Sequence, residues 1–450
     1  MKPILPTILS KLNCAAPLYA VGGCVRNALL GVPQSADVDL AADLSTEEVK
    51  ESVLRVGGVV KGEYPRTQTL LFSDGENSVT MEFTSFRRER YAEGGGHAPV
   101  AVERTHSLCE DALRRDFTCN AVYYDISREE WVDPLSGMEA IKNRLLIGCR
   151  APEKVFSSDG LRLLRLCRFA AELNFSPSPD TVAGARRYAR NIRDIAAERI
   201  YAELLKILAA PEKYPFSLPT GAEDGLRLSE AIGAFGELFP ELAAGRGMAQ
   251  RSDFHDYDVL DHSFRAVRYA TPRVRLAALL HDVGKPICYR ETGRFYEHAE
   301  RGAVIAEAIL KRLKAPIDAQ KRVAKLTLLH MLDLDGKMRE AKIKRVIRDN
   351  ASLFESLMEL KQADFSACKD CLSVAPAVAR WSDIYKRMKE AGVPFSLHEL
   401  QIDGRDLTEI GYCGSAVGKE LLRLWDFTLE YPNKNQKKSL LERAKEDLCR

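Results

Sequence analysis

Asp37 and Asp39 flank Val38 in the run "DVDLA", shortly after "AVGGCVRNALLG" has supplied Gly22, Gly23 and Arg26. On a β-strand, side chains at i and i+2 share a face, so the two carboxylates would be aimed together. Such a pair repels itself unless a cation sits between its members, and Mg2+, a hard ion that prefers oxygen ligands, is the natural occupant. Gly22 and Gly23 let backbone N–H groups approach a phosphate where the next helix begins, near Cys24, and Arg26 offers a planar fork for phosphate oxygens. A third acid is expected on a neighbouring strand, and "VTMEFTSF" supplies Glu82. Three carboxylates can hold two metal ions roughly 3.5–4 Å apart, which activate an attacking hydroxyl and stabilise a leaving pyrophosphate. A solvated DxD on an edge strand would read the same in isolation. The glycines, Arg26 and Glu82, in order, favour catalysis.

Two more runs carry charge in useful patterns. "LRRDFTCNAVYYD" holds Arg114, Arg115, Asp116 and Asn120, and "SSDGLRLLRLCRFAAELNF" places Asp159, Arg162, Arg165 and Arg168 at intervals of three. If all four lie on one helix, adjacent members are neighbours. A solvated basic face is one reading of that spacing; base selection is the other. Cytosine and adenine both present an amino donor beside a ring-nitrogen acceptor, and uracil and guanine reverse that order. A carboxylate only accepts and a guanidinium only donates, so Asp159 with Arg162 would admit C or A and leave U or G with unpaired groups.

A separate constellation lies in the second half. His262, the doublet His281-Asp282 and the later Asp364 combine neutral imidazoles with carboxylates, a donor set suited to a divalent transition or zinc-like metal. Lys285, just beyond, could contact a substrate phosphate, with a helix C-cap as the plain reason for Gly284. Cys368 and Cys371 form one CxxC without the second pair that a four-ligand zinc site needs.

The elements that must position these groups change character along the 450 residues. Up to about residue 140, β-rich runs ("LYAVGG", "ADVDLA", "TQTLLF", "VTMEFTSF", "AVYYDI") alternate with helical ones, and beyond that the periodicity is helical. The expected architecture is α+β: a small β-sheet head with helices over 1–140, a helical neck over 141–224, a helical metal-binding domain over 225–385 and a helical tail over 386–450. The linker is placed at "PEKYPFSLPTGAEDG", 211–225, with a weaker boundary near 389–406. With 46% hydrophobic and 29% charged residues and a formal charge of +2, the composition is that of an ordinary globular protein, and any nucleic-acid contact must be a local basic face. Eleven scattered cysteines fit reduced thiols, and no signal peptide or transmembrane span is expected, so the expected location is cytoplasmic. The oligomeric state is left open.

"VGGCVRNALLG" with "DVDLA", followed by "LRRDFTCNAVYYD", resembles the class II tRNA nucleotidyltransferases, the family of CCA-adding enzymes and bacterial poly(A) polymerases. The resemblance runs almost continuously over 18–210. It implies addition of C, C and A to tRNA 3′ ends from CTP and ATP, with Mg2+, and with nucleotide contacts from Arg115, from Asp159 and Arg162 as the base-selecting pair, and from further arginines along that run. Arg199 occupies the place of an RNA- or nucleotide-facing residue, with an ion pair to Glu198 or Glu203 as the alternative. Ser158 stands where the family usually has glutamate, and Asn27 where aspartate is common. A poly(A) polymerase or a partial A- or CC-adding enzyme would share this head; the basic-aromatic signature of the former is not found. The segment "RERYAEGGGHAPVAVERTHSL" argues against a CC-only enzyme, although its usual Asp-Gly-Arg core reads Glu93-Gly94-Gly95. The H…HD…D order resembles the HD superfamily of metal-dependent phosphohydrolases, in which His298 and His330 sit where two-metal members carry extra ligands. A phosphohydrolase whose head only binds RNA ends is therefore the alternative of another class. The tail, with Gly411, Gly414 and Gly418 at an expected helix–turn–helix and Lys434, Lys437 and Lys438 beyond it, also resembles the family's C-terminal segment.

Overall fold

The computed structural model describes residues 1–33, 37–75, 79–91 and 99–448, and Glu93-Gly94-Gly95 lie outside them. The chain divides into two compact units, Met1–Ala243 with Arg312–Lys314, and Ala244–Lys311 with Ala315–Arg450.

The first unit opens with a mixed sheet. Its strands are β1 (Tyr19–Val21), β2 (Asp37–Ala42), β3 (Val59–Tyr64), β4 (Thr69–Ser73) and β5 (Thr80–Ser85). A ribbon of β6 (Arg87–Arg90) and β7 (Ala101–Arg104) follows, then β8 (Tyr123–Asp125) and β9 (Glu130–Val132). The sheet order is β3-β4-β5-β2-β1-β8-β9, with β6 and β7 paired apart from it. Alternation does in β2 what it predicts: Val38 and Leu40 are buried while Asp37 and Asp39 emerge on the other face. β5 repeats the pattern, burying Met81 and Phe83 and exposing Glu82. Because β2 and β5 run parallel in register, Asp39 is directly opposite Glu82.

All five expected strands are present. β3 escapes sequence reading because it is an edge strand with no buried residue and a register irregularity between Val60 and Gly62, so no alternation marks it.

In the same unit, the helix Leu161–Leu173 packs against helices Ala197–Leu208 and Gly221–Ala231. Two expectations are corrected here. Asp159 is not on the helix of the three arginines: it has extended backbone between helices Pro152–Ser158 and Leu161–Leu173, broken at Gly160. The expected linker at 211–225 runs into helix Gly221–Ala231, which crosses the boundary drawn at 224/225 and belongs to the first unit. Its glycines serve close packing: a Cβ on Gly221 would stand 2.8 Å from the Ala171 carbonyl oxygen, and one on Gly225 would stand 2.8 Å from Ile207 Cγ2.

The second unit is helical. Val259–Tyr269, Arg275–Leu280, Ile317–Leu329 and Phe354–Lys369 pack together, and the start of His298–Arg312 lies close against Gly284. Gly284 has ordinary helical backbone, so it is no left-handed C-cap; a Cβ there would run into the His298 carbonyl. The tail has a small core of Leu400, Ile402, Leu407, Tyr412, Leu424 and Leu440. Its turn between helices Gly404–Glu409 and Ser415–Glu430 contains Gly411 at φ +112° and Gly414 at φ +55°, and a Cβ at Gly414 or Gly418 would meet nothing within 4 Å. Tight packing therefore does not account for those two glycines. Among the described residues, no helix is long and apolar enough to cross a membrane.

Candidate active site and metal centre

The first unit holds a cleft of about 690 Å³ lined by Gly22, Gly23, Arg26, Asp37, Asp39, Arg115, Asp116, Asn120, Asp159, Arg162, Arg165 and Arg168. The structure thus gathers into one space all but one of the head and neck residues singled out above. Glu82 is not among the lining residues; it lies alongside, held opposite Asp39 by strand register.

Gly22 is required by geometry. Its backbone is left-handed at φ +79°, and a Cβ would come within 2.7 Å of Asp39 Oδ2. The helix starts at Gly23, one residue before the expected Cys24. Desolvation pushes the Asp39 carboxyl up, and Asp37 adds to it; Glu82 is raised likewise, by desolvation and then by Asp39. Acids that resist sharing their charge, presenting only oxygens, fit a hard divalent cation.

The cations are individually anchored. Arg26 is buried, and its hydrogen-bond acceptors among the described residues are all neutral: Asn120 Oδ1 at 2.6 Å, Asn27 Oδ1 at 2.9 Å and the Tyr214 hydroxyl at 3.1 Å. Asn27, in place of the usual aspartate, thus gives the guanidinium a neutral partner. Arg115 donates to Asp111 Oδ2 at 3.1 Å and to the Tyr123 hydroxyl. Burial works against ionisation of Asp111, but Arg114 and Arg115 hold its pKa down to about 2. Burial likewise opposes charge on Asp116, yet Arg165, whose Nε donates at 2.8 Å, holds it well below the usual carboxylate range together with Asn120.

Asp159 and Arg162 lie side by side, both buried. One Asp159 oxygen accepts the Leu161 N–H at 2.9 Å and the other stands 3.9 Å from Arg162 Nε, while Arg162 donates to the Arg114 carbonyl at 2.6 Å. Arg168 is turned into a buried ion pair with Glu203 at 2.7 Å, with Glu172 at 3.4 Å. Because Glu203 serves Arg168 and Glu198 bonds Lys314, the ion-pair alternative for Arg199 finds no support, and Arg199 lines the cleft.

Sequence reasoning missed Phe169, whose ring lies under the guanidinium groups of Arg26 (5.1 Å), Arg165 (5.3 Å) and Arg168 (4.1 Å). Its position directly after Arg168 in the basic run was the available signal. Glu89 and Arg114, paired at 3.2 Å, were also unassigned and line the same cleft.

The second unit gathers His262, His281, Asp282, His298, His330 and Asp364. His262 Nε2 lies 3.0 Å from Asp364 Oδ1 and 3.2 Å from His281 Nε2. Asp282 turns one oxygen toward His281 at 3.3 Å and the other toward His298 at 3.4 Å and His330 at 3.6 Å. The Nδ1 atoms of His281, His298 and His330 face the carbonyls of Ala278, Phe295 and Thr327 at 2.7, 2.7 and 2.6 Å. A ring nitrogen committed to a carbonyl in this way presents its other nitrogen as a metal ligand. Nε2 of His298 and His330 and Oδ1 of Asp282 are buried without a hydrogen-bond partner, as unbound ligand atoms would be. Burial disfavours charge on His281, yet Asp282 and Asp364 raise its pKa to about 10, and the N/O donors of the cluster fit a divalent transition ion. Lys285 is not free to meet a substrate; it is buried, 2.6 Å from Asp282 and 2.7 Å from Gln250 Oε1. Cys368 groups with His255 and His262, whereas Cys371 contacts Ser373.

Comparison with known proteins finds matches for the head, the neck and the helical second unit. Residues 18–147 match the Poly A polymerase head domain, 174–245 the probable RNA and SrmB-binding site of polymerase A, and 259–380 the HD domain. The A-adding tRNA nucleotidyltransferase of Deinococcus radiodurans is 34% identical over 366 residues, 78% of this chain and 76% of that protein. The CC-adding tRNA nucleotidyltransferase of Thermus thermophilus is 34% identical, covering 77% of this chain and 75% of that one. The Multifunctional CCA protein of Xanthomonas campestris pv. campestris is 33% identical over 67% of this chain and 72% of its own. In fold, the chain is similar to the Bacillus stearothermophilus CCA-adding enzyme in complex with CTP, with a TM-score of 0.65 at 21% identity, covering 96% of this chain and 93% of that one. The fold and the two clusters define a nucleotidyltransferase head on a helical body with an HD-type metal unit, an architecture that implies dependence on divalent metal. The chain belongs to the tRNA nucleotidyltransferase and poly(A) polymerase family.

Proposed function

We propose that this protein adds C, C and A to the 3′ end of tRNA, using CTP and ATP and releasing pyrophosphate. The observation that carries the reading is the cleft itself, where the Asp37–Asp39 pair, with Glu82 in register, shares a space with Asp159 and Arg162. Asp37, Asp39 and Glu82 would hold Mg2+, which when bound supplies activation of the attacking 3′ hydroxyl and charge neutralisation of the leaving group. Gly22 and Gly23 admit the triphosphate to the backbone, and Arg26, whose hydrogen-bond acceptors among the described residues are neutral, binds its oxygens. Arg115, locked by Asp111 and Tyr123, and Arg165, locked by Asp116, orient the nucleotide with Asn120. The 3′ oxygen then bonds to the α-phosphorus and the bond to pyrophosphate breaks in line. Asp159 accepts from the base's amino group while Arg162 donates to the ring nitrogen. Arg168, neutralised by Glu203, acts by fixing the helix and Phe169.

The relatives include A-adding and CC-adding enzymes, so partial addition and poly(A) synthesis are the alternatives within the class. For the HD unit we propose one or two divalent transition ions on His262, His281, Asp282 and Asp364, with His298 and His330, and hydrolysis of phosphate esters as its reaction class. The head, neck, HD unit and tail are proposed as the working parts, with the neck extended to Ala243 and the exposed tail lysines meeting tRNA phosphate.

The test supplies Mg2+, a tRNA lacking its 3′ terminus and each NTP singly, then CTP with ATP. Addition of C, C and A in that order is the expected result. Use of UTP or GTP at the same rate would overturn base selection by Asp159 and Arg162, and ATP or CTP used alone to completion would identify a partial enzyme or a poly(A) polymerase.

A further inference from the structure

We propose that His255, His262 and Cys368 form a second, thiophilic metal site beside the HD cluster, taking a divalent zinc-like ion. Their ligand atoms lie within 4.8 Å of one another. His281, His298 and His330 each direct Nδ1 to a backbone carbonyl, whereas Nδ1 of His262 is buried and has no hydrogen-bond partner. His262 itself is fully buried, and its Nε2 already faces Asp364 and His281. The Nδ1 atom of His255 is also buried and unpartnered, and the two rings meet edge to face with centroids 4.9 Å apart.

Cys368 lies one helical turn beyond Asp364, and its thiol donates to the Asp364 carbonyl at 3.3 Å. Two imidazoles and a thiolate form a softer donor set than the histidines and carboxylates of the HD cluster, and three protein ligands leave a tetrahedral ion one open position. Binding converts the Cys368 thiol to a thiolate and, because Nε2 of His262 serves the HD cluster, turns that ring into a bridging imidazolate; both protons go to solvent. This assignment also gives the isolated CxxC a different meaning: Cys368 finds its partners on another element, while Cys371 takes no part.

The full chain is stripped with a chelator, reloaded with Co2+ and followed by near-ultraviolet absorption and metal analysis. The unaltered protein is expected to show a thiolate-to-cobalt charge-transfer band. Cys368→Ser and His255→Gln should each lose that band and about one equivalent of cobalt per chain, the capacity of a single site. The band should persist in Cys371→Ser. His255 is only partly buried, so its substitution reads the site even if the cysteine variant folds poorly. Cobalt loading of the unaltered chain without such a band, or a band that survives in either Cys368→Ser or His255→Gln, overturns the proposal.

Discussion

Asp39 is pressed between a glycine it needs and an acid it repels. Replacing it with alanine removes a ligand and relieves crowding, so Asp39→Ala should keep its thermal midpoint while nucleotide addition falls at least about a hundredfold, the equivalent of roughly 2.7 kcal/mol of barrier. Unaltered activity would refute the proposed metal role. Gly22→Ala acts on the same atoms from the other side: a left-handed alanine costs roughly 1–2 kcal/mol, and its Cβ must displace the Asp39 carboxylate. Calorimetry should therefore show a lower midpoint and the addition assay a lower rate. Asp111 carries a pH signature. Its folded pKa of about 2 lies below that of an unfolded aspartate, so its contribution, roughly 2 kcal/mol, is complete above about pH 4 and fades as the pH falls through 2. Urea unfolding of the native protein and Asp111→Asn should show a stability gap at pH 5 that closes toward pH 2. At this scale the sequence was informative: residue types and order pointed to the cleft, whereas the neutral partners of Arg26 and the ring under three guanidiniums arise from contacts between distant segments.

Elements were readable where burial is one-sided. β2 and β5 show their alternation because one face is core, and β3 does not because neither face is. The spacing of Asp159 with the arginines suggested a single helix, but Asp159-Gly160 is itself a turn signal, and the break frees Asp159 to cap the backbone beside Arg162. The glycines at 221 and 225 misled in the opposite direction, since composition does not distinguish a flexible glycine from one crowded by a neighbouring helix. The distinction is measurable. In a mobile linker Gly221→Ala would be neutral or stabilising, but against the Ala171 carbonyl it should lower stability by roughly 1–3 kcal/mol in chemical denaturation.

On the scale of the whole molecule, the two proposed metal sites belong to two different units, so each is testable by itself. His281→Ala should reduce bound transition metal by at least half in metal analysis while Mg2+-dependent nucleotide addition stays within about twofold, an effect below roughly 0.5 kcal/mol. The division into a β-rich head and helical remainder was visible from periodicity, and the order H…HD…D singled out residues that the fold brings together. His255 was not, because nothing in its own segment marks it and one of its two partners, Cys368, lies on a helix more than a hundred residues later. Sheet order also bears on how the protein is made. β1 is flanked by β2 and by β8, so its second edge stays unpaired until Tyr123–Asp125 has been synthesised, and the cleft lacks a wall until Arg162 and Arg165 follow. At ribosomal speeds of about 5–20 residues per second, that delay is on the order of ten seconds. For that interval the emerging chain carries Asp37, Asp39 and Glu82 without the arginines that complete the lining of the cleft.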